Sequence, residues 1–254
     1  MEVNFIMGFW VVLVLVVRYN VVMNTSEQGR RIHGQAEEAR EKGEFVDALR
    51  FTDEAMAAYI EDGDVLGFAE VLQSRVLTAR HLADKTGSEL WLRYAVHAAT
   101  AGVEAAERSG DNSAVVLPCH TVGKVYESLG EYEEALKWHE RAVESKDDLP
   151  ESHNRDGFKA EMMAHLSFCQ MMTGDEGGYE RLLEAINLLE ASDESSYNKD
   201  VWLSGMHMSA AEALVKLGRK EEAESHMSKA EEIIKANPEL VLRKEQWERL
   251  RERL

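Results

Sequence analysis

Downstream of residue 25 the chain alternates between long runs in which apolar residues recur at every third or fourth position and short polar breaks that contain a glycine. The first pattern lines up side chains on one face of an α-helix, and the second supplies turns. Three segments are variants of one another: LGEYEEALKWHERAV at 129–143, KGEFVDALRFTDEAM at 42–56 and LGRKEEAESHMSKAE at 217–231. The break glycines Gly43, Gly87, Gly130, Gly174 and Gly218 follow at intervals of 44, 43, 44 and 44 residues. Each stands where one apolar pattern stops and the next begins, a place that calls for left-handed backbone, which glycine adopts at little cost. The unit is therefore a helix, a tight turn and a second helix, and a period of this size marks a repeat architecture.

The pattern predicts five hairpins, at 26–42 with 44–61, 65–85 with 88–109, 113–129 with 131–146, 152–173 with 176–192, and 197–217 with 219–236. Asn24-Thr25-Ser26 is a capping cluster ahead of the first. Asp62-Gly63-Asp64, Gly110-Asp111-Asn112 and the stretches 147–150 and 193–196 are turn-forming links. A last helix, with Pro238 in its first turn, alternates charge along one side and is expected to cap the open end of the stack. With three prolines in 254 residues, little interrupts helix formation. The fold expected is all-α, an α-α superhelix (solenoid) of five helical hairpins plus a C-terminal capping helix, each unit burying its apolar face on its neighbours. The expected domains are a hydrophobic N-terminal segment at 1–23, the repeats at 24–237 and the capping helix at 238–254.

The N-terminus, MEVNFIMGFWVVLVLVVRYNVVM, has no such pattern: residues 5–17 are an unbroken apolar run of 13. That is short of the about 20 residues of a membrane span, although Arg18 can snorkel and let the segment reach across. It is a poor secretory signal, because Glu2 precedes the run and no basic residue does. Three readings stay open: an uncleaved anchor, a segment that packs on the repeats or drives self-assembly, and a true start further on, at Met7 or Met23. As an anchor, with Arg18, Arg30 and Arg31 on its C-terminal side, it keeps the repeats cytoplasmic.

Lys and Arg number 29 against 47 Asp and Glu, a formal charge of −18. That charge repels phosphate backbones and removes the counterion-release term that drives nucleic-acid binding, so basic or apolar protein partners are expected instead. Cys119 and Cys169 lie 50 residues apart with no CxxC and no His at ligand spacing, which signals neither a disulfide framework nor a zinc site and fits a reducing compartment.

Within the third unit, Cys119, Val122, Gly123 and Tyr126, then Ala135, His139 and Ala142, resemble the tetratricopeptide repeat pattern W-x2-L-G-x2-Y followed by A-x3-F. Unit five matches with Ala210, Ala211, Leu214, Ala223, Met227 and Ala230, and unit one with Ala36, Ala39, Ala48 and Ala55. The small residues let two helices approach closely. Units two and four depart, with Arg80 at a small-residue position, Ala95 displaced, and Tyr179 at the tight alanine position. The period of about 44 is similar to the longer repeats of kinesin light chains.

No phosphate loop, dinucleotide fingerprint, HExxH or GxSxG elbow occurs, so no catalytic set, cofactor or metal is expected. The nine histidines include no i, i+4 pair and read as surface or packing residues. What the resemblance implies is a concave groove lined by the first helix of each unit, where an extended or helical peptide lies. Counting from the turn glycines, the groove positions are His33, Glu37 and Arg40 in unit one and His120, Lys124 and Glu127 in unit three. Units four and five contribute Phe168, Met171, Met172, Met208, Glu212 and Lys216. Phe168 and the three methionines are either an adaptable apolar floor or packing between units. His33 and Glu37 replace the Lys and Asn of the carboxylate clamp, so chaperone C-termini are not expected to bind. The reading is a non-enzymatic interaction scaffold for a protein or peptide partner. The alternative is a self-assembling subunit that uses its hydrophobic end, as homo-oligomer or filament.

Overall fold

The structure, a computed structural model, describes residues 25–110, 112–149 and 155–254. The N-terminal segment lies outside the described residues. Among the described residues there are eleven α-helices and no strand: α1 Glu27–Glu41, α2 Phe45–Asp62, α3 Val65–Thr86, α4 Leu90–Ser109, α5 Ser113–Leu129, α6 Tyr132–Glu144, α7 Arg155–Met172, α8 Gly178–Ala191, α9 Ser196–Lys216, α10 Lys220–Ala236 and α11 Val241–Arg253. A 3-10 turn at Lys146–Asp148 follows α6. None of these helices is long and apolar enough to cross a membrane.

The five break glycines all take positive φ, between 66° and 101°, at the turns inside the hairpins, and Gly63 and Gly110 do the same at two links. Successive helices pack pairwise along the chain. The first helices of neighbouring hairpins also touch one another, whereas the second helices do not, among the described residues. The first helices therefore lie on the inside of a curved stack, and α2, α4, α6, α8 and α10 on the outside.

The alanines of the repeat pattern sit where the helices approach: Ala48, Ala55, Ala135, Ala142 and Ala230 are fully buried. Units two and four form hairpins as well. Ala95 is fully buried between α3 and α4, and the hydroxyl of Tyr179 meets His226 at 3.0 Å. Asp64 joins the first two units: it caps α3 through the Gly67 amide at 2.8 Å and accepts from the Ser26 amide at 2.9 Å, while Ser26 caps α1.

Pro238 stands outside the last helix, contrary to the expected start. The Asn237 side chain accepts from the Glu239 amide at 3.2 Å and the Leu240 amide bonds back to Asn237, so 237–240 form a turn and α11 starts at Val241. Trp247 and Leu250 of α11 bury against Met208, Ala230 and Ile234, closing the end of the apolar seam.

Candidate functional site

The predicted groove residues divide by burial. Phe168, Met171, Met172 and Met208 are only 5%, 0%, 9% and 8% exposed. The first three pack among α7, α8 and α9 with Leu182 and Leu214, and Met208 lies under Trp247. They hold the hairpins together and form no exposed apolar floor. The reason is steric: α7 and α9 touch directly, so the side chains between them are enclosed. Polar groups remain on the inner face: exposed Glu37 and Lys216, half-buried His33, Lys124 and Glu212, and Arg40, whose guanidinium reaches Ser74 at 3.0 Å.

The centre of that face is a cluster in which His120, Lys124 and Glu127 form one stripe on α5 and Glu161, His165 and Cys169 the facing stripe on α7, both at helical spacing. His139 enters from α6, at the place where the repeat pattern has phenylalanine. Its ring lies on the backbone of Gly123, where an added Cβ would stand 2.5 Å from ring carbon Cε1. Glu127 accepts from His165 Nδ1 at 2.8 Å and lies 2.8 Å from His139 Nε2. The Cys169 thiol donates to it at 3.4 Å. Glu161 takes the Lys124 ammonium at 2.6 Å. His120 Nδ1 meets His139 Nδ1 at 3.2 Å, and His120 Nε2 lies 3.5 Å from Glu161.

Burial decides the protonation of this cluster. It pushes His120 down to about 3 against the pull of Glu161, and it lowers His139 as well, so both rings are neutral near pH 7. Burial alone would raise the two acids, yet Lys124 holds Glu161 well below the usual carboxylate range, and His165, then His139, does the same for Glu127. Two carboxylates held ionised thus stand against two neutral buried rings, His120 and His139. Only His120, Lys124 and Glu127 were legible as groove positions. Glu161, His165 and His139 were missed, although Glu161-x3-His165 on the next inner helix is itself a helical stripe.

A second polar element crosses the groove. Arg249 of α11 reaches Asp84 of α3 at 3.7 Å and Arg253 reaches Glu212 of α9 at 3.7 Å. Arg243 packs over Gly205, and burial, then the charge of Arg80, lowers it to about 10. The terminal helix thus caps the last hairpin with one face and turns its arginines into the groove.

These features define a helical repeat protein of solenoid architecture with a polar concave face. Residues 118–148 match the family model described as Tetratricopeptide repeat, and the chain is built of tetratricopeptide-like hairpins. Among proteins of curated function none matches the sequence. Solved structures share the fold at low identity. The putative kinesin light chain TPR-like repeats of Podosopora anserina superpose with a TM-score of 0.55 at 14% identity, over 85% of this chain and 99% of that one. BtubC from P. vanneervenii gives 0.59 at 16% identity, over 82% and 80%. NprR in complex with its cognate peptide NprX gives 0.62 at 16% identity, over 87% of this chain and 59% of NprR. No catalytic family is indicated.

Proposed function

We propose that the chain is a non-enzymatic adaptor whose concave groove takes a basic helical or extended segment of a protein partner. What carries the reading is α11: its arginines already engage inner-face acids three hairpins apart, Asp84 and Glu212, so the groove has the width and charge for such a segment. His33, Glu37, Lys124, Glu127, Glu212 and Lys216 orient the partner, and the buried Phe168, Met171, Met172 and Met208 support them from below. NprR, with a peptide in its complex, lends the reading a structural parallel. Charged rims steer partners more than they hold them, so binding is salt-sensitive.

The test is a random-peptide selection against the full chain, followed by binding of the selected peptides to Glu37→Lys and Glu212→Lys on the groove and Glu140→Lys on the outer helix α6. Selected peptides rich in Lys and Arg should lose about tenfold or more, roughly 1.4 kcal/mol, on the groove changes and little on the outer one. Peptides that respond only to the outer change, or no selected peptides at all, sink the groove reading. A second reading is favoured by the apolar run at 5–17: residues 1–23 tether the chain to a membrane or assemble it with its copies. Light scattering of the full chain against 24–254 decides whether that segment assembles it.

A further inference from the structure

We propose that the corner of the inner face formed by His120, Glu161 and His165 is a binding site for a divalent first-row transition ion of the zinc type, held by His120 Nε2, His165 Nε2 and the Glu161 carboxylate. The hydrogen-bond pattern assigns the protons. Glu127 accepts from His165 Nδ1 at 2.8 Å, so in the neutral ring Nδ1 carries the proton and Nε2 the lone pair. His139 Nε2 lies 2.8 Å from Glu127, off the line of a directed hydrogen bond yet too close for two lone pairs to face each other, so it carries a proton and leaves its Nδ1 as an acceptor. His120 Nδ1 donates to that acceptor at 3.2 Å, and His120 Nε2 is left with a lone pair.

Both free lone pairs turn toward one acid: His120 Nε2 lies 3.5 Å and His165 Nε2 3.8 Å from the oxygens of Glu161. Acceptors thus face acceptors with no hydrogen between them, and His120 Nε2, in a side chain 4% exposed, has no hydrogen-bond partner among the described residues. The separations are long for hydrogen bonds. They approach the roughly 3.3–3.5 Å between two ligands of a tetrahedral ion whose bonds are about 2.0–2.1 Å. All three ligand atoms lie within 4.8 Å of one another. Two imidazoles with one carboxylate suit zinc and its neighbours better than calcium or magnesium. Glu127 behind His165, and His139 behind His120, fix the rings as outer partners of metal-bound histidines do. The Lys124 side chain, 25% exposed, pairs with Oε1 of Glu161 and can swing outward, leaving the ion to supply the missing positive charge. His165, 22% exposed, opens the site to the groove.

The test uses the tag-free full chain, stripped with chelator and titrated with Co²⁺, then Zn²⁺. One Co²⁺ per chain is expected, with the visible absorption of a four- or five-coordinate ion, displaced by Zn²⁺. In the wild-type chain the ¹⁵N resonances of His120 Nε2 and His165 Nε2 should shift on Zn²⁺ addition. Glu161→Gln and His165→Ala should weaken binding by about 100-fold or more and Glu127→Gln by roughly 10- to 100-fold, with His207→Ala unchanged. The ring resonances keep the test valid if a variant fails to fold. A folded wild-type chain that takes up no stoichiometric Co²⁺, uptake that survives Glu161→Gln, or unmoved ring resonances would each overturn the site and leave a self-contained polar network.

Discussion

Hairpins three and five each hold two histidines 19 residues apart, one per helix, in contact through Nδ1: 3.2 Å for His120 with His139 and 2.8 Å for His207 with His226. They differ by one step of register. His120 stands 10 residues before its turn glycine and His139 9 after it, whereas His207 stands 11 before and His226 8 after. One residue turns a helical side chain by about 100°. The pair in hairpin five therefore looks toward α8, where the Tyr179 hydroxyl meets His226, and among the described residues it forms no ion pair with a carboxylate. The pair in hairpin three looks toward α7 and meets Glu161 and His165. The same local device becomes a neutral hydrogen-bonded chain in one place and the wall of a charged cluster in the other. The neighbouring helix, and not the pair itself, decides which.

Acid should expose the difference most. Burial, then the charges of neighbouring groups, pushes His207 down to about 3 and His226 to about 4 from an ordinary 6.5. The unfolded chain therefore binds the extra protons first. The stability contributed by the neutral pair is fully present above pH 6.5 and is lost as pH falls from there toward about 3. Each unit of depression is worth about 1.4 kcal/mol. His207→Phe should flatten the stability-versus-pH curve over that window. A curve of unchanged slope would show that the pair is solvated.

Removing the acid that distinguishes hairpin three comes next. Glu127→Ala removes the acceptor of the His165 ring N–H and the carboxylate beside buried His139 Nε2, and should cost roughly 2–4 kcal/mol in chemical denaturation. The corresponding loss against the pair of hairpin five, Tyr179→Phe on α8, removes one neutral hydrogen bond and should cost about 1 kcal/mol. Equal costs would mean that the charge of hairpin three adds nothing. Ala135→Leu, at a fully buried contact between hairpins three and four, should cost roughly 1–3 kcal/mol by overpacking. An unchanged melting temperature would break the alignment of that unit. The smallest effect expected is Arg249→Ala, whose exposed pair with Asp84 contributes about 0–1 kcal/mol, less at high salt.

Much of the fold was legible because it is written in local terms. Turn glycines, helix periodicity and buried alanines each act within a few residues, so the hairpins and their small-residue contacts follow from the chain alone. The start of α11 was not legible, because Pro238 fits a first helical turn as well as the Asn237 turn it occupies. The candidate site was half legible. His120, Lys124 and Glu127 share one helix face with the turn glycine as ruler, whereas Glu161 and His165 belong to the next unit. His139 hides at an aromatic packing position that only a glycine at 123 lets a ring occupy from above.

Repetition of a short pattern determined, by sequence alone, that this protein is a stack of helical hairpins, since each unit has an apolar face that only its neighbour can cover. Tertiary structure alone decided which inner residues are walls and which are surface. Direct contact of α7 with α9 enclosed Phe168, Met171 and Met172, and α11 covered Met208, so residues that read as an open apolar floor became core. It also brought three scattered histidines and two acids together, because side chains about 40 residues apart become neighbours only once consecutive units dock, and a one-residue change in register redirects a ring toward a different helix.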